Sequence, residues 1–266
     1  YGGKYSRIFP QQAIYKYVSN NIKMKLNKKV IIFGILFISI LGIYAFSQSE
    51  VEENRNILSH IIDLNKQNLK LYWKNENGEI IKNFVNLKEL SESKSERLIF
   101  AMNGGMYKKD FSPQGLYIEN GVVKSEIDTL TNGYGNFYLQ PNGIFYITNK
   151  NKGFVCKTTE FKNSDIKYAT QSGPLLLING KIHSKFRKGS KNLNIRNAVG
   201  ILPNGDLIFA MSKEKINFYD FANYFKALGC ENALYLDGFV SKTYLPKKGW
   251  NIIDGNFGVI IGETSK

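Results

Sequence analysis

Histidine and cysteine are scarce, with two of each in 266 residues. Protein zinc sites draw on clustered Cys and His. The chain has neither a His-x-x-x-His pair nor a Cys/His cluster, so metal-assisted hydrolysis has no motif behind it. No cofactor follows from the sequence, and a divalent-cation requirement is left open. Cys156 and Cys230 allow two readings: one disulfide outside the cytoplasm, or two buried thiols. Also absent are a Gly-x-Ser-x-Gly elbow, a P-loop and a Rossmann fingerprint. A Ser-His-Asp hydrolase would need His60 or His183; Ser172, in Gln-Ser-Gly-Pro, is a poor nucleophile candidate. His60 sits among apolar residues and reads as structural.

What the chain does have is lysine and aromatic residues. The formal net charge is +14, of which residues 1–50, with seven Lys/Arg and one acid, supply +6 and the rest +8. The larger part is basic but diffuse. It lacks a cluster dense enough for a nucleic-acid groove, so no nucleic-acid partner is expected. An anionic envelope polymer is a more fitting neighbour, and a generally lysine-rich composition with no such partner is an equal reading. The 18 Phe and 16 Tyr favour strands; most of these rings are expected to pack in the core, and some suit carbohydrate contacts.

Lys25, Lys28 and Lys29 precede Val30–Phe46, an uncharged, mostly apolar run, and Ser47, Gln48 and Ser49 follow. A basic flank before an apolar run is an export signal. Met24 then reads as the start, with 1–23 an upstream extension and 24–49 a signal peptide or membrane anchor. Cleavage and retention both stay open. If the run is retained, residues 30–46 contact the membrane; either way the positive flank places the domain outside the cytoplasm. Residues 50–56 form a polar linker and 57–266 one domain, because no Pro/Gly/Ser-rich stretch divides it.

Asn-Gly recurs at 77–78, 120–121, 142–143, 179–180 and 204–205, flanked each time by apolar or aromatic residues. Such dipeptides favour tight hairpins. The expected hairpins pair 69–74 with 79–85, 115–118 with 122–125, 137–140 with 144–148, 175–178 with 181–183, and 199–202 with 206–211. Further strands are expected at 97–102, 153–158, 233–236 and 257–262. Apolar residues at 218, 221, 222, 225 and 228 carry the helical period up to Gly229, and 87–95 is a second, short helix. The fold class is α+β: antiparallel-rich mixed sheets built from Asn-Gly hairpins, flanked by a few helices.

Four segments carry polar groups at the ends of strand-like runs: FAMNGGMY (100–107), QSGPLLLING (171–180), RNAVGILPNG (196–205) and ALYLDGFVS (233–241). Polar groups held at strand ends suit a binding or catalytic site. Asp237 ends the apolar run Ala-Leu-Tyr-Leu, where a carboxylate is costly unless bonded or used; it either caps the following turn or does chemistry. Arg196 opens a strand and can fork two donors at a phosphate, or form a plain surface salt bridge.

In this order, with SPQGLYIENG between the first two, the segments resemble the phosphodiester glycosidase family, the group related to the catalytic domain of N-acetylglucosamine-1-phosphodiester α-N-acetylglucosaminidase. The resemblance runs from about residue 57 to the C-terminus. Two departures stand out: Tyr107 replaces the usual Phe, and Gly238-Phe239-Val240-Ser241 replaces a glycine-rich stretch. It implies cleavage of the bond between a sugar's anomeric carbon and a phosphodiester oxygen. Asp237 would be the base or nucleophile and Arg196 the phosphate ligand. Backbone donors would come from Asn103, Gly104, Gly105, Ser172 and Gly173, and contacts to sugar hydroxyls from Asn103 and Gln171. Gln114, His183, Gly238 and Ser241 complete the substrate-binding set. A glycan or sugar phosphate is the implied partner. The rivals are a non-catalytic glycan-binding domain of the envelope and an envelope scaffold.

Overall fold

The computed structural model describes residues 56–237 and 240–266, which fall within one compact unit. The expected extension (1–23) and signal or anchor (24–49), most of the linker (50–56), and Gly238 lie outside the described residues. Among the described residues no helix is long and apolar enough to cross a membrane.

In chain order the elements are β1 (Ile57–Ile62), β2 (Asn68–Tyr72), α1 (Phe84–Ser93), β3 (Arg97–Asn103), β4 (Tyr117–Glu119), β5 (Val122–Ser125), β6 (Gly143–Thr148), β7 (Gly153–Lys157) and β8 (Ile166–Ser172). There follow β9 (Leu175–Ile178), β10 (Lys181–Ile182), β11 (Asn197–Ile201), β12 (Leu207–Ser212), α2 (Phe218–Ala227), β13 (Ala233–Tyr235), β14 (Thr243–Leu245), β15 (Trp250–Asn251) and β16 (Ile260–Ser265). They make three antiparallel sheets. The first runs β1-β12-β11-β13-β9-β10, the second β15-β14-β3-β16-β2, and the third β5-β4-β8-β6-β7.

The inner faces of all three sheets enclose one core, to which Leu71, Phe100, Phe145, Val199, Phe209 and Leu234 contribute. β12 is buried on both faces, which the period-2 alternation of a strand explains. Leu207, Phe209 and Met211 point into this core, and Ile208 and Ala210 face α2. Helix α2 begins where Asn217 accepts a hydrogen bond from the Asp220 N–H at 2.9 Å, and Gly229 follows it at φ 79°. It packs Phe218, Phe221, Ala222 and Phe225 onto the first sheet. Helix α1 covers the second sheet through Phe84 and Leu87.

Three of the five expected hairpins form: β4–β5, β9–β10 and β11–β12. Two differ. The arm expected at 137–140 is a 3-10 turn at Asn136–Tyr138, and β6 pairs with β7 and β8 instead. Both edges of β6 are thus occupied, and Asn142 Nδ2 donates to the Phe137 carbonyl at 3.0 Å, holding that segment off the sheet. Around Asn77-Gly78 the ladder shrinks to a single bridge, Lys74 with Ile80. Asn83 caps α1 by accepting from the Asn86 N–H, so Val85 is helical rather than extended, and α1 starts three residues before the expected 87. The last strand begins at Ile260 rather than 257, because the Val259 carbonyl accepts from the Gly104 N–H at 2.9 Å. Cys156 and Cys230 are both free thiols.

A candidate active site around Asp237 and Asn103

Asn103 and Asp237 come from different sheets, and both are buried. Asn103 ends β3, and its side chain is a hub. Nδ2 donates to Asp237 Oδ2 and to the Val240 carbonyl. Oδ1 accepts from the Lys242 N–H at 2.8 Å and from Asn197 Nδ2 at 2.9 Å. Asn197 Nδ2 also reaches the Asn103 carbonyl at 2.9 Å, while its own Oδ1 is buried without a partner. An orphaned buried acceptor is costly and marks a place for a ligand or a water. Ser241 Oγ and Thr243 Oγ1 are two more buried oxygens without a partner.

Asp237 lies just past β13. That strand pairs with β11 through Ala198 opposite Tyr235, and the Leu236 N–H bonds the Asn197 carbonyl at 3.2 Å. The ladder ends there, with Arg196 just before β11 and Asp237 two residues past β13 on neighbouring strands. Arg196 is wholly buried. Its guanidinium lies 3.6 Å from the Phe218 ring centroid. Nε donates to the Ile216 carbonyl at 2.9 Å, Nη2 to the Asn192 carbonyl and Oδ1 at 3.0 and 3.2 Å, and Nη1 to the Tyr235 hydroxyl at 3.4 Å. These partners are all neutral, and among the described residues no carboxylate forms an ion pair with Arg196. Four of the five guanidinium N–H groups are engaged and one, on Nη1, is left over. Burial lowers the arginine's pKa from its usual value, but the group stays charged.

Tyr235 accepts from Arg196 and feels both charges. Burial is the main reason its hydroxyl resists ionisation; nearby Asp237 adds to the resistance and Arg196 opposes it. Burial, then the Asp237 charge, raises Tyr107 in the same sense. Sequence reasoning passed over Tyr235 and Asn197. The available signal was a polar side chain amid apolar neighbours in each of two buried strands.

Gly104 and Gly105 bring the chain close to its neighbours. A Cβ on Gly104 would meet Ile261 Cγ1 at 2.4 Å and its backbone nitrogen at 3.2 Å; one on Gly105 would meet Thr170 Oγ1 at 2.5 Å. Ser172 Oγ donates to the Leu236 carbonyl at 2.8 Å, tying β8 to the strand that leads to Asp237. Gly173 packs against Asn142, and a Cβ there would lie 2.7 Å from Asn142 Cβ.

Other expected ligand contacts bond to the protein itself, as the Asn103 side chain does and as the Gly104 N–H does at the Val259 carbonyl. Gln171 Oε1 accepts from the Leu116 and Asp128 N–H groups, both at 2.9 Å, and Nε2 donates to the Asp128 carbonyl at 2.7 Å and to Thr158 Oγ1 at 3.3 Å. Gln114 Nε2 donates to the Tyr138 hydroxyl at 3.3 Å. His183 Nδ1 accepts from the Lys185 N–H at 3.1 Å, which leaves Nε2 to donate to the Gln140 carbonyl at 3.0 Å. Burial lowers the pKa of this neutral imidazole. His60 bonds Glu263 at 2.5 Å, bridging the first two sheets. A cleft of about 640 Å³ opens elsewhere, between β2, α1 and the β4–β5 hairpin, and none of the expected site residues lines it. The chemistry of buried groups, not cavity size, points to Asp237.

Comparisons with known proteins identify the family. The phosphodiester glycosidase family matches residues 96–258. The uncharacterized protein YigE of Escherichia coli K12 is 36% identical over 223 residues, covering 83% of this chain and 86% of that protein. The catalytic domain of zebrafish N-acetylglucosamine-1-phosphodiester alpha-N-acetylglucosaminidase, solved auto-inhibited by its pro-peptide, shares the fold. Its TM-score is 0.53 at 14% identity, over 81% of this chain and 85% of that one. With its motifs in order, a family match over more than half its length and three antiparallel sheets in the fold of a glycosidase catalytic domain, the chain belongs to the phosphodiester glycosidase family.

Proposed function

We propose that this protein is an exported hydrolase that cleaves the bond between the anomeric carbon and the phosphate oxygen of a sugar-1-phosphodiester in an envelope or extracellular glycan. One observation supports it most: a buried carboxylate and a buried guanidinium sit at the ends of two paired strands, Asp237 braced by Asn103 and Arg196 bonded to the Tyr235 hydroxyl. The bond that breaks is C1–O(P), and its electron pair leaves with the phosphate monoester. The bond that forms joins C1 to a water oxygen, either directly with Asp237 taking the water's proton, or after Asp237 itself has attacked C1. A phosphate monoester, with a second pKa of about 6, is a good leaving group. It therefore gains more from a fixed cation and oriented donors than from a strong general acid. The spare N–H of Arg196 and the Tyr235 hydroxyl supply these. Asn197 Oδ1 and Ser241 Oγ are available to sugar hydroxyls. Gln171 and His183 act as positioning residues that hold β8 and the loop after β10. Export rests on the lysine-flanked apolar run at 30–46.

Asp237→Asn tests the assignment. The full chain, in a detergent without a sugar headgroup, is expected to lose at least 1,000-fold in turnover of a sugar-1-phosphodiester and to bind it within a few-fold of the wild type. Turnover that survives the substitution refutes the role of Asp237.

The cleft away from the site favours a second reading, a glycan-binding domain. Its lining includes Tyr72, Trp73, Asn75 and Asn120, and its four lysines face three glutamates, a near balance suited to uncharged hydroxyls. The chain has two tryptophans, Trp73 in the cleft and Trp250 outside it. Titration with a neutral tetrasaccharide that shifts only the Trp73 indole NMR signal, in a protein without turnover, selects this reading.

A further inference from the structure

The chain holds no Asp or Glu between Asp165 and Asp206. Within that stretch, the loop from β10 to β11 carries Lys185, Arg187, Lys188 and Lys191, all exposed. Among the described residues none of the four forms an ion pair, whereas Lys66, Lys70, Lys88, Lys94, Lys157 and Lys242 do. Lys213 and Lys215 are exposed beside Ile216, which bridges to Asn194 of the same loop, and Glu214 is the one acid in that short segment. What sets this strip apart is the density of cations along an acid-free stretch of chain.

The strip is also fixed to the candidate site. His183, Phe186 and Phe218 stack in a column with centroid separations of 4.7 and 4.8 Å, and the Arg196 guanidinium lies on the far face of Phe218. Asn192, at the end of the loop, accepts from Arg196 Nη2. The loop that displays the cations is thus the loop that holds the buried arginine.

We propose that residues 185–191, with Lys213 and Lys215, are a docking strip for a polyanionic glycan, a chain whose repeats carry phosphodiester groups, which delivers one of its linkages to the Arg196–Asp237 site. The placement of the scissile linkage rests on the function proposed above; the strip's affinity for the chain does not. Charge complementarity selects a polyanion and raises its local concentration. A glycan fits better than a nucleic acid, because Phe186 is buried in the column and the strip offers no exposed aromatic face for base stacking. A membrane surface fits less well, because the strip is a loop and not an amphipathic helix.

The test compares the full chain with a triple variant, Lys185→Gln, Lys188→Gln and Lys191→Gln, all at exposed sites. Two substrates are used: a small sugar-1-phosphodiester and a glycan polymer with phosphodiester-linked repeats. The expected result is at least a tenfold higher KM for the polymer with kcat unchanged, and no change for the small substrate. Wild-type KM for the polymer should climb steeply between 50 and 500 mM salt, and that of the variant should hardly move. Direct binding of the same polymer, followed by its effect on sedimentation, gives a second readout that needs no turnover. Polymer binding lost in the variant, with no turnover of either substrate, would retain the strip and reject the proposed hydrolysis. Turnover of both substrates with polymer KM unaffected by the triple variant would reject the strip and retain the hydrolysis. Duplex DNA or anionic phospholipid vesicles bound more tightly than the polymer would overturn the choice of partner.

Discussion

Asn103→Asp exchanges an amide for a carboxylate with almost no change in volume, so its effect is electrostatic. In the native protein Nδ2 donates to Asp237 Oδ2 and the Val240 carbonyl, while Oδ1 accepts from Lys242 N–H and Asn197 Nδ2. The aspartate keeps the second pair of contacts and loses the first. In place of a donor it sets an acceptor against a carboxylate and a carbonyl, all buried. Two carboxylates in such a site cannot both ionise, and one pKa rises strongly. A rise of about 3 units corresponds to about 4 kcal/mol, at 1.36 kcal/mol per unit. A carboxyl whose folded pKa is raised binds more protons in the native state than in the unfolded one. Its cost therefore appears as pH climbs above the unfolded value near 4 and is complete above the folded value. The variant is expected to be about 3 kcal/mol less stable relative to wild type at pH 7 than at pH 4, a large share of the roughly 5–15 kcal/mol typical of a domain. The wild type should run the other way in acid. Hydrogen bonding from Thr264 holds Glu96 below its usual pKa, and in Glu263 burial's upward push is outweighed by bonds from His60 and Gln67. Such carboxylates add stability above their unfolded pKa and lose it as pH falls through the folded one. Urea midpoints for both proteins at pH 4, 5, 6 and 7 provide the assay. Parallel profiles would mean that Asn103 does not face Asp237, and the site would lose its brace.

Other expectations follow from the same contacts. Gln171→Ala leaves the Leu116 and Asp128 N–H groups and the Asp128 carbonyl without partners; at about 1–3 kcal/mol each, partly recovered by water, the loss should be about 4 kcal/mol. Thermal melts should fall by about 10 °C, and a fall of under 2 °C would show that Gln171 is not a clamp. Burial lowers the His183 pKa, so the unfolded state takes up the proton first. Wild-type stability should therefore drop as pH falls below about 6.5, and a His183→Gln variant should lack that slope; an identical slope in both proteins would place the titrating group elsewhere. Burial pushes Cys156 up to about 11 and Cys230 to about 12. Reductant should leave the intact mass unchanged, and iodoacetamide at pH 8 should label both at least 100-fold more slowly than free cysteine. Rapid labelling of the native protein would contradict the burial of Cys230 and the partial burial of Cys156.

Where a turn carries its own signal, the fold was legible in the residues. Asn-Gly flanked by alternating apolar residues located β4–β5, β9–β10 and β11–β12, and the spacing at 218–225 located α2. At Asn142-Gly143 the dipeptide misled, because strand pairing is decided by which edges are free: β6 was already bonded on both sides by β7 and β8. Strands β1 and β8 carry no turn signal of their own, and their place in the sheets comes entirely from long-range partners. In the candidate site, Asn103 and Asp237 stood out as polar groups after apolar runs, and Arg196 as a cation ahead of one. Whether Gln171 and His183 face a ligand or the protein's own backbone depends on contacts across the fold, which no local pattern encodes. The cationic loop escaped notice for a different reason. Net charge averaged over the chain hides an acid-free stretch, and ion pairing that neutralises lysines elsewhere appears only in three dimensions.

Which bond breaks decides the reaction class, and the fate of an isotopic label reports it directly. A sugar-1-phosphodiester is hydrolysed by the full chain in 18O-water, and the released phosphate monoester is examined by 31P NMR. Attack at the anomeric carbon leaves the phosphate resonance unshifted and puts the label on the sugar. An upfield-shifted phosphate, labelled at phosphorus, would show P–O cleavage and contradict the glycosidase reading.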